Sequence, residues 1–331
     1  MPRLNVEDLK VKYDVDDGEV NAVDGVSFTL SNDEIIGLLG ESGCGKSTLS
    51  KSIIRDLPDN GTITSGSIKY NEKELEKLSN KELRQVRWEE IAYIPQNAMN
   101  SLDKVYTIQE QIIETISAHR DVARQEKVQK AKEIFDMVGI DHFRLEDYPH
   151  EMSGGMKQRI VLALAFILEP NLIIADEPTT GVDVLLRDKI LADIEKYQER
   201  YNSSILIVSH DIADLVETCD TLMVMYGGKI VERAPSKQLI QNPTHPYTMG
   251  LIQSTPTLET ETKNLITMSM DPPDLKSPPK GCRFIDKCPF AESECSTTHP
   301  EMNKTNSSES ACFRADEHQN IMAQIQEEGW K

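Results

Sequence analysis

The chain has 331 residues and a formal net charge of −19, so it is long enough to form more than one domain. Its acidic balance argues against free nucleic acid or a bare anionic lipid surface as a binding partner. No apolar run reaches the roughly 18 residues that a membrane-spanning helix requires, and the first residues do not resemble a signal peptide. We therefore expect a cytoplasmic protein that reaches a membrane only through a partner.

The first hundred residues alternate between strand and helix patterns. Apolar and polar residues alternate across residues 4–30, which predicts antiparallel strands interrupted at Asp16-Asp17-Gly18. Residues 35–57 predict a buried strand, a loop and a helix. Residues 72–88 are dense in Glu, Lys and Leu and predict a helix, and residues 91–94 predict a second buried strand.

The loop in residues 40–47 has the complete pattern G-x-x-x-x-G-K-[ST]. Between a strand and a helix this pattern is typical of a phosphate-binding loop, because glycines let backbone N–H groups point at an anion and the helix N-terminus adds partial positive charge. We expect Lys46 to reach the β- and γ-phosphates and Ser47 to bind Mg²⁺. The predicted ATP-binding residues of this loop are Gly40, Glu41, Ser42, Gly43, Cys44, Gly45, Lys46, Ser47 and Thr48.

Helix-forming sequence dominates residues 97–150, and strand patterns then return at residues 172–175 and 205–208. Residues 221–231 predict a hairpin around Gly227-Gly228. Strands that alternate with helices favour an α/β fold with a mainly parallel sheet.

Two further segments carry chemistry. The apolar run 172–175 ends in Asp176 and Glu177, where the aspartate would order Mg²⁺ and the glutamate would polarise the attacking water. Ser153 is a good N-cap, and Gly154-Gly155 would expose backbone N–H groups to an anion. On capping chemistry alone, the second segment would be an ordinary capped helix.

Together these residues resemble the ATPase subunit of an ATP-binding-cassette transporter over about residues 3–235. The resemblance implies a RecA-like P-loop NTPase core with an antiparallel β subdomain and an inserted α-helical subdomain at about residues 97–160. It implies that Tyr13 stacks on adenine, that Gln96 contacts Mg²⁺ and senses the membrane partner, and that His210 holds the γ-phosphate. Lys46, Glu177 and His210 are then the catalytic residues, and Ser47, Gln96 and Asp176 bind Mg²⁺.

The same resemblance implies a dimer of cassettes. The signature Ser153, Gly154, Gly155 and Gln158 would close over the ATP of a second subunit. Asp183 would lie in the loop that crosses the dimer interface. The sequence has Gly181-Val182 before Asp183, where Ala-Leu is more usual in the family.

The rest of the chain predicts a proline-rich linker over residues 236–281 and a cysteine-rich domain over residues 282–331, after a cassette domain in residues 1–235. Its cysteines have the spacing C-x₅-C-x₆-C-x₁₆-C and comprise Cys282, Cys288, Cys295 and Cys312. In a cytoplasmic protein such a group favours metal or redox chemistry over disulfides. Four thiolates can hold a [4Fe–4S] cluster, zinc is less expected without C-x₂-C pairs, and disulfides or free thiols stay open.

Residues 242–248, Asn-Pro-Thr-His-Pro-Tyr-Thr, together with 281–284 resemble the oligopeptide/dipeptide permease subgroup. That resemblance implies import of di- or oligopeptides, and some members of the subgroup hold a [4Fe–4S] cluster. It also implies a paralogous second cassette, two transmembrane permease subunits, an external binding protein, and a place on the cytoplasmic face of the membrane.

Three alternatives remain. The cargo could be nickel or an oligosaccharide. A soluble cassette that acts on ribosomes or DNA is disfavoured, since the chain has one phosphate loop and no sustained heptads. A binding module with an inactive ATPase site is disfavoured by the presence of Glu177 and His210.

Overall fold

The computed structural model describes residues 3–254, 273–305, 308–328 and 330. They form two compact units that are interleaved along the chain. The first unit contains residues 3–4, 30–35 and 70–208, and the second contains residues 5–29, 36–69 and the described part of 209–331. Across these described ranges, no helix combines the length and apolar character needed to cross a membrane.

The bounds of the regular elements are as follows. The strands are β1 (Leu4–Val15), β2 (Gly18–Leu30), β3 (Ile35–Leu39), β4 (Gly61–Tyr70), β5 (Lys73–Glu74), β6 (Ile91–Ile94), β7 (Leu172–Asp176), β8 (Ser204–Ser209), β9 (Thr221–Tyr226), β10 (Lys229–Pro235), β11 (Asn303–Lys304) and β12 (Glu309–Ser310). The α-helices are α1 (Lys46–Ile53), α2 (Asn80–Val86), α3 (Ile108–His119), α4 (Arg124–Met137), α5 (Gly154–Phe166), α6 (Val184–Tyr201), α7 (Ile212–Thr218), α8 (Ser236–Gln241), α9 (Pro246–Ser254), α10 (Ser293–Thr297) and α11 (His318–Glu328).

The first unit is built on the parallel strands β6, β7 and β8, with β7 between the other two. Ile94 pairs with Ala175, and Asp176 pairs with Val208. All five residues of β7 are buried, as expected for a strand covered on both faces of a parallel sheet. Because carboxyl ends of parallel strands meet at one edge, the polar residues that follow β6 and β7 lie on the same edge of this sheet.

Helices α3, α4 and α5 occupy the chain between β6 and β7, which confirms the inserted helical segment. The N-cap of helix α3 is Thr107, whose side chain accepts from the Glu110 N–H in a capping box. Its apolar stripe Ile108, Ile112 and Ile116 is buried, as the spacing of an amphipathic helix requires.

The helix predicted over residues 72–88 is wrong in its first half. Residues 73–77 instead form β5 and a 3₁₀ turn, and α2 starts only after Ser79. The Ser79 hydroxyl accepts from the Glu82 N–H, while the Glu82 carboxylate accepts from the Ser79 N–H. This capping box fixes the helix start inside a stretch whose composition is helix-forming throughout.

In the second unit, β3 runs parallel to β9, and β9 forms an antiparallel hairpin with β10. The turn contains Gly227 and Gly228, which have φ of 55° and 82°. Two successive positive φ values suit a type I′ turn, and the predicted hairpin is confirmed. Strands β2, β1 and β4 lie side by side in a second sheet, so the strands predicted for residues 4–30 are also confirmed.

The C-terminal part of this unit packs closely. Helices α8 and α9 lie within the segment predicted as a linker, of which residues 255–272 fall outside the described residues. Strand β12 extends the sheet by pairing with β10. Met249 of α9 packs against Ile321 and Ile325 of α11, and all three are buried. The domain limits at 235 and 281 stay a prediction.

Candidate nucleotide site and cysteine pocket

The phosphate loop joins β3 to α1 in the second unit, and its shape requires glycine at two positions. A Cβ atom at Gly40 would lie 2.4 Å from the Met225 carbonyl oxygen, and one at Gly45 would lie 2.2 Å from the Ala22 carbonyl oxygen. Gly45 also has a φ of 112°, a backbone conformation that is unfavourable for residues other than glycine. The backbone therefore turns sharply enough to present its N–H groups at the start of α1.

Lys46 points back into this loop. Its Nζ donates to the carbonyl oxygens of Gly40 at 2.7 Å and Glu41 at 2.9 Å, and the residue is 4% exposed. Two of the three ammonium donors are thus used by loop carbonyls. These carbonyls hold the cation close to where phosphates would bind. Burial raises the pKa of the neighbouring Cys44 thiol, which keeps that group uncharged beside the lysine. Ser42 and Gly43 are exposed at the tip of the loop.

Tyr13 reaches the far end of the same loop. Its hydroxyl lies 3.2 Å from the Thr48 hydroxyl. A Cβ atom at Gly61 would lie 2.7 Å from the Tyr13 ring, so glycine gives the ring its space. The aromatic residue that the sequence predicts for adenine therefore lies against the phosphate loop.

In the first unit, β7 ends at Asp176, which is fully buried. The hydroxyl of Tyr93 on β6 donates to Asp176 Oδ2 at 2.9 Å. Tyr93 is not among the residues that the sequence predicts for this site. Its position in the strand just before Pro95-Gln96 was the available signal, because a polar group near a strand's carboxyl end lies at the sheet edge that carries the site.

Glu177 follows in the left-handed backbone region, with a φ of 51°. Its N–H donates to the Val208 carbonyl at 2.8 Å. Its carboxylate Oε2 accepts from Gln96 Nε2 at 2.7 Å and from the Thr180 hydroxyl at 2.9 Å. The structure thus brings together Gln96 and Glu177, and two donors orient the carboxylate that the sequence assigns to the attacking water.

The signature segment begins α5. The Ser153 hydroxyl accepts from the Met156 N–H at 3.2 Å and caps the helix. A Cβ atom at Gly155 would lie 2.5 Å from the Leu186 side chain, so glycine permits this close approach. Ser153 and Gly154 are exposed, which leaves this end of α5 accessible.

Two other residues that are predicted to contact nucleotide make hydrogen bonds within the first unit. Gln158 is 3% exposed, and its side-chain amide donates to the Pro178 carbonyl. Asp183 caps α6 by accepting from the Leu186 N–H at 3.0 Å, and it is exposed. His210, in the second unit, follows β8 and is exposed.

The four C-terminal cysteines line one pocket, together with His245 and Phe284 among others. The backbone N–H of Cys282 donates to the Cys295 carbonyl at 2.8 Å, which joins two of the cysteine-bearing segments. Burial raises the pKa values of Cys288 and Cys312 to about 12, and the neighbouring thiols contribute to the shift. All four thiols are free of disulfides in this structure.

Among the described residues, no group of three or more His, Cys, Asp or Glu side chains is placed to hold a metal ion. A tetrahedral zinc ion with Zn–S bonds of about 2.3 Å would require its thiolates to lie about 3.8 Å apart. An iron–sulfur cluster accepts more widely spaced thiolates, because each one binds a different iron.

Two family models match the chain. The ABC transporter family matches residues 23–180, and the family described as "Oligopeptide/dipeptide transporter, C-terminal region" matches residues 231–295. The second match includes the buried residues of α9 and three of the four cysteines of the pocket.

Curated relatives match nearly the whole chain. The oligopeptide transport ATP-binding protein OppD of Escherichia coli is 36% identical over 313 residues, which are 94% of this chain and 93% of that protein. The dipeptide transport ATP-binding protein DppD of Bacillus subtilis is 39% identical over 300 residues, which are 90% of each chain.

Solved structures match the cassette portion. The dimeric bacterial ABC transporter cassette MJ0796 has a TM-score of 0.64 at 23% identity and covers 70% of this chain and 98% of that chain. The cbiO1 subunit of Clostridium perfringens, part of the cbiONQ transporter complex, has a TM-score of 0.61 at 26% identity and covers 72% of this chain and 91% of that one. With its relatives and the two family matches, this chain belongs to the ABC transporter family and is an ABC-type ATPase.

Proposed function

We propose that the chain is the ATP-hydrolysing subunit of an importer for di- or oligopeptides. The observation that carries this proposal is the presence, in one chain, of a complete cassette and of the oligopeptide/dipeptide C-terminal region. Relatives that align along more than nine-tenths of the chain bear the names of oligopeptide and dipeptide transport proteins.

ATP would bind first to the phosphate loop. The backbone N–H groups around Gly43 and Gly45 would receive the phosphates, and Lys46 would exchange its two carbonyl partners for phosphate oxygens. Tyr13, held beside Thr48, would stack on the base. The loop thus supplies both the charge and the shape for a nucleoside triphosphate.

The residues assigned to Mg²⁺ carry the type of oxygen donor that this ion prefers. Asp176 offers a fully buried carboxylate, Ser47 a hydroxyl, and Gln96 an amide oxygen, and Mg²⁺ prefers such hard oxygen ligands. The hydrogen bond from Tyr93 fixes Asp176 Oδ2. When bound, the ion would neutralise charge that develops on the phosphates.

Glu177 is the residue that would orient the attacking water and accept its proton. Gln96 and Thr180 donate two hydrogen bonds to Oε2 of this carboxylate, which orients it for that role. His210 would hold the γ-phosphate. Together with Lys46, these groups supply the electrostatic stabilisation that phosphoryl transfer needs.

The partner in hydrolysis would be a second cassette, which we take to be a paralogue. Ser153 and Gly154 are exposed at the N-terminus of α5, where a helix dipole and backbone N–H groups favour an anion. Gly155, Gln158 and Asp183 would support this surface from within the same subunit. ATP would drive closure because it binds the closed pair better than the open one.

Two transmembrane permease subunits and an extracytoplasmic binding protein would complete the transporter, with this chain on the cytoplasmic face of the membrane. The permeases, rather than the cassette, would contact the cargo.

We also propose that Cys282, Cys288, Cys295 and Cys312 hold a [4Fe–4S] cluster. The donor set fits, since four thiols from separate segments line one pocket and interact electrostatically. When bound, the cluster would cross-link these segments, and we assign it a structural role.

The test is reconstitution of the chain with its permease and binding-protein partners in proteoliposomes. Peptides of two to five residues should stimulate ATP hydrolysis and accumulate inside the vesicles, whereas the Glu177→Gln protein should do neither. Stimulation by nickel or an oligosaccharide instead of peptides would overturn the cargo assignment and leave the ATPase assignment intact.

A further inference from the structure

We infer that Tyr247 is a positioning residue of the ATP site, which holds the phosphate loop through the backbone of Glu41. The inference rests on the proposed function for the reaction that the loop serves. The hydroxyl oxygen of Tyr247 accepts a hydrogen bond from the Glu41 N–H at 3.3 Å. Tyr247 belongs to α9, more than 200 residues away in sequence.

The backbone N–H and carbonyl groups of Glu41 both make hydrogen bonds that shape the loop. Its carbonyl oxygen accepts from Lys46 Nζ at 2.9 Å and from the Cys44 N–H at 3.3 Å. Its N–H is the group bonded to Tyr247. Once Lys46 exchanges this carbonyl for a phosphate, the bonds to Tyr247 and from the Cys44 N–H remain to keep the Glu41 peptide in place.

Tyr247 is itself held firmly. It is fully buried, and its ring lies 4.5 Å from the Tyr226 ring and 5.4 Å from the Phe284 ring, measured between centroids. Its backbone N–H donates to His245 Nδ1 at 3.1 Å. A side chain locked on several sides can impose a position on a loop rather than follow it.

The hydroxyl is also chemically suited to this task. Burial raises the pKa of Tyr247 well above its ordinary value, so the oxygen stays a neutral acceptor. The Glu41 N–H is partly buried, and a backbone N–H withdrawn from water costs free energy when it loses its acceptor. Removal of this one oxygen should therefore loosen the loop without removing any packing of the ring.

The experiment compares Tyr247→Phe with Tyr197→Phe in the full chain. Tyr197 is also fully buried, and its hydroxyl donates to the Pro170 carbonyl at 3.2 Å. Neither residue belongs to the phosphate loop. We expect Tyr247→Phe to raise the KM for ATP about 3- to 10-fold, the effect of one lost hydrogen bond, with kcat within about twofold of wild type. Tyr197→Phe should leave both constants unchanged.

Amide hydrogen exchange gives a second, direct readout. The Glu41 amide should exchange faster in Tyr247→Phe than in wild type, and at the wild-type rate in Tyr197→Phe. A wild-type KM and wild-type exchange in Tyr247→Phe would overturn the inference, and so would equal effects in the two variants. Failure of the wild-type chain to hydrolyse ATP would instead refute the proposed function, while the exchange comparison would still test the tether.

Discussion

The phosphate loop and the cysteine pocket would both hold charged groups, but they are built in opposite ways. The loop is one continuous segment whose donors are backbone N–H groups and Lys46, and its shape follows from glycines that no other residue could replace. The pocket is assembled from side chains of separate segments, between Cys282 and Cys312. The ligand class of a site built from backbone groups can therefore be read from its local sequence, whereas a site built from side chains depends on packing.

The largest expected effect is a loss of metal from the cysteine pocket without a loss of ATP affinity at the phosphate loop. The double substitution of Cys282 and Cys288 by Ser should reduce iron and acid-labile sulfide from about four per chain to near zero. The affinity for ATP should stay within about threefold of wild type, since no cysteine of the pocket contacts the phosphate loop through a hydrogen bond among the described residues. Anaerobic purification with metal analysis and nucleotide titration measures both quantities.

The matched control is Cys219→Ser, because Cys219 is a buried cysteine that does not line the pocket. It should retain full iron content. Zinc in place of iron, or no metal in the wild-type chain, would remove the cluster assignment. A collapse of nucleotide affinity in the double variant would show that the two regions do not function separately.

The next largest effect concerns a single hydrogen bond at a residue predicted to bind Mg²⁺. Tyr93→Phe removes the donor to Asp176 Oδ2, so the buried carboxylate loses one of the groups that orient it. We expect kcat for ATP hydrolysis to fall about 3- to 10-fold and the Mg²⁺ concentration for half-maximal rate to rise. Steady-state hydrolysis at graded Mg²⁺ concentrations measures both.

Tyr70→Phe is the control, since the Tyr70 hydroxyl bonds to the Glu90 carbonyl rather than to a predicted site residue. It should hydrolyse ATP at the wild-type rate. An unchanged Mg²⁺ dependence in Tyr93→Phe would remove the positioning role of that hydroxyl.

The smallest effect concerns pH and the C-terminal region. Burial lowers the pKa of His245 to about 3, so the folded chain keeps this imidazole neutral. The unfolded chain takes up a proton below about pH 6.5, and the folded state therefore loses stability as the pH falls from about 6.5 towards 3. Between pH 7 and 5.5, wild type should lose about 1 kcal/mol more stability than His245→Gln.

Urea unfolding at the two pH values measures this difference. His299 stays in both proteins, and burial lowers its pKa as well, so it cancels in the comparison. Equal losses in wild type and His245→Gln would mean that His245 is not buried in its neutral form in solution.

The sequence alone was sufficient wherever a feature depends on neighbouring residues. Gly40, Gly45 and Lys46 lie where the motif predicts, and Asp176 ends a buried strand as its apolar run indicates. The Gly227-Gly228 hairpin also follows from local turn chemistry. In these cases the physical cause and the pattern occupy the same few residues.

Features that depend on tertiary pairing could not be predicted in this way. The bond from Tyr93 to Asp176 exists because Tyr93 pairs with Ile174 on the neighbouring strand, and periodicity does not give strand order. The bond between Glu41 and Tyr247 joins residues far apart in sequence. The late start of α2 had a different cause, since the Ser79 capping box lay inside a helix-forming composition.

The decisive measurement is ATP hydrolysis by the purified chain, with Glu177→Gln as the variant. Wild type should hydrolyse Mg-ATP, and Glu177→Gln should bind ATP with an affinity within a few-fold of wild type. Its hydrolysis rate should be about 10²- to 10⁴-fold lower, the contribution of a positioned general base. Because ATP is not consumed, Glu177→Gln should also accumulate as an ATP-dependent pair of cassettes, in the presence of a partner cassette if the pair is a heterodimer. Wild-type turnover in Glu177→Gln would show that Glu177 does not position or deprotonate the attacking water.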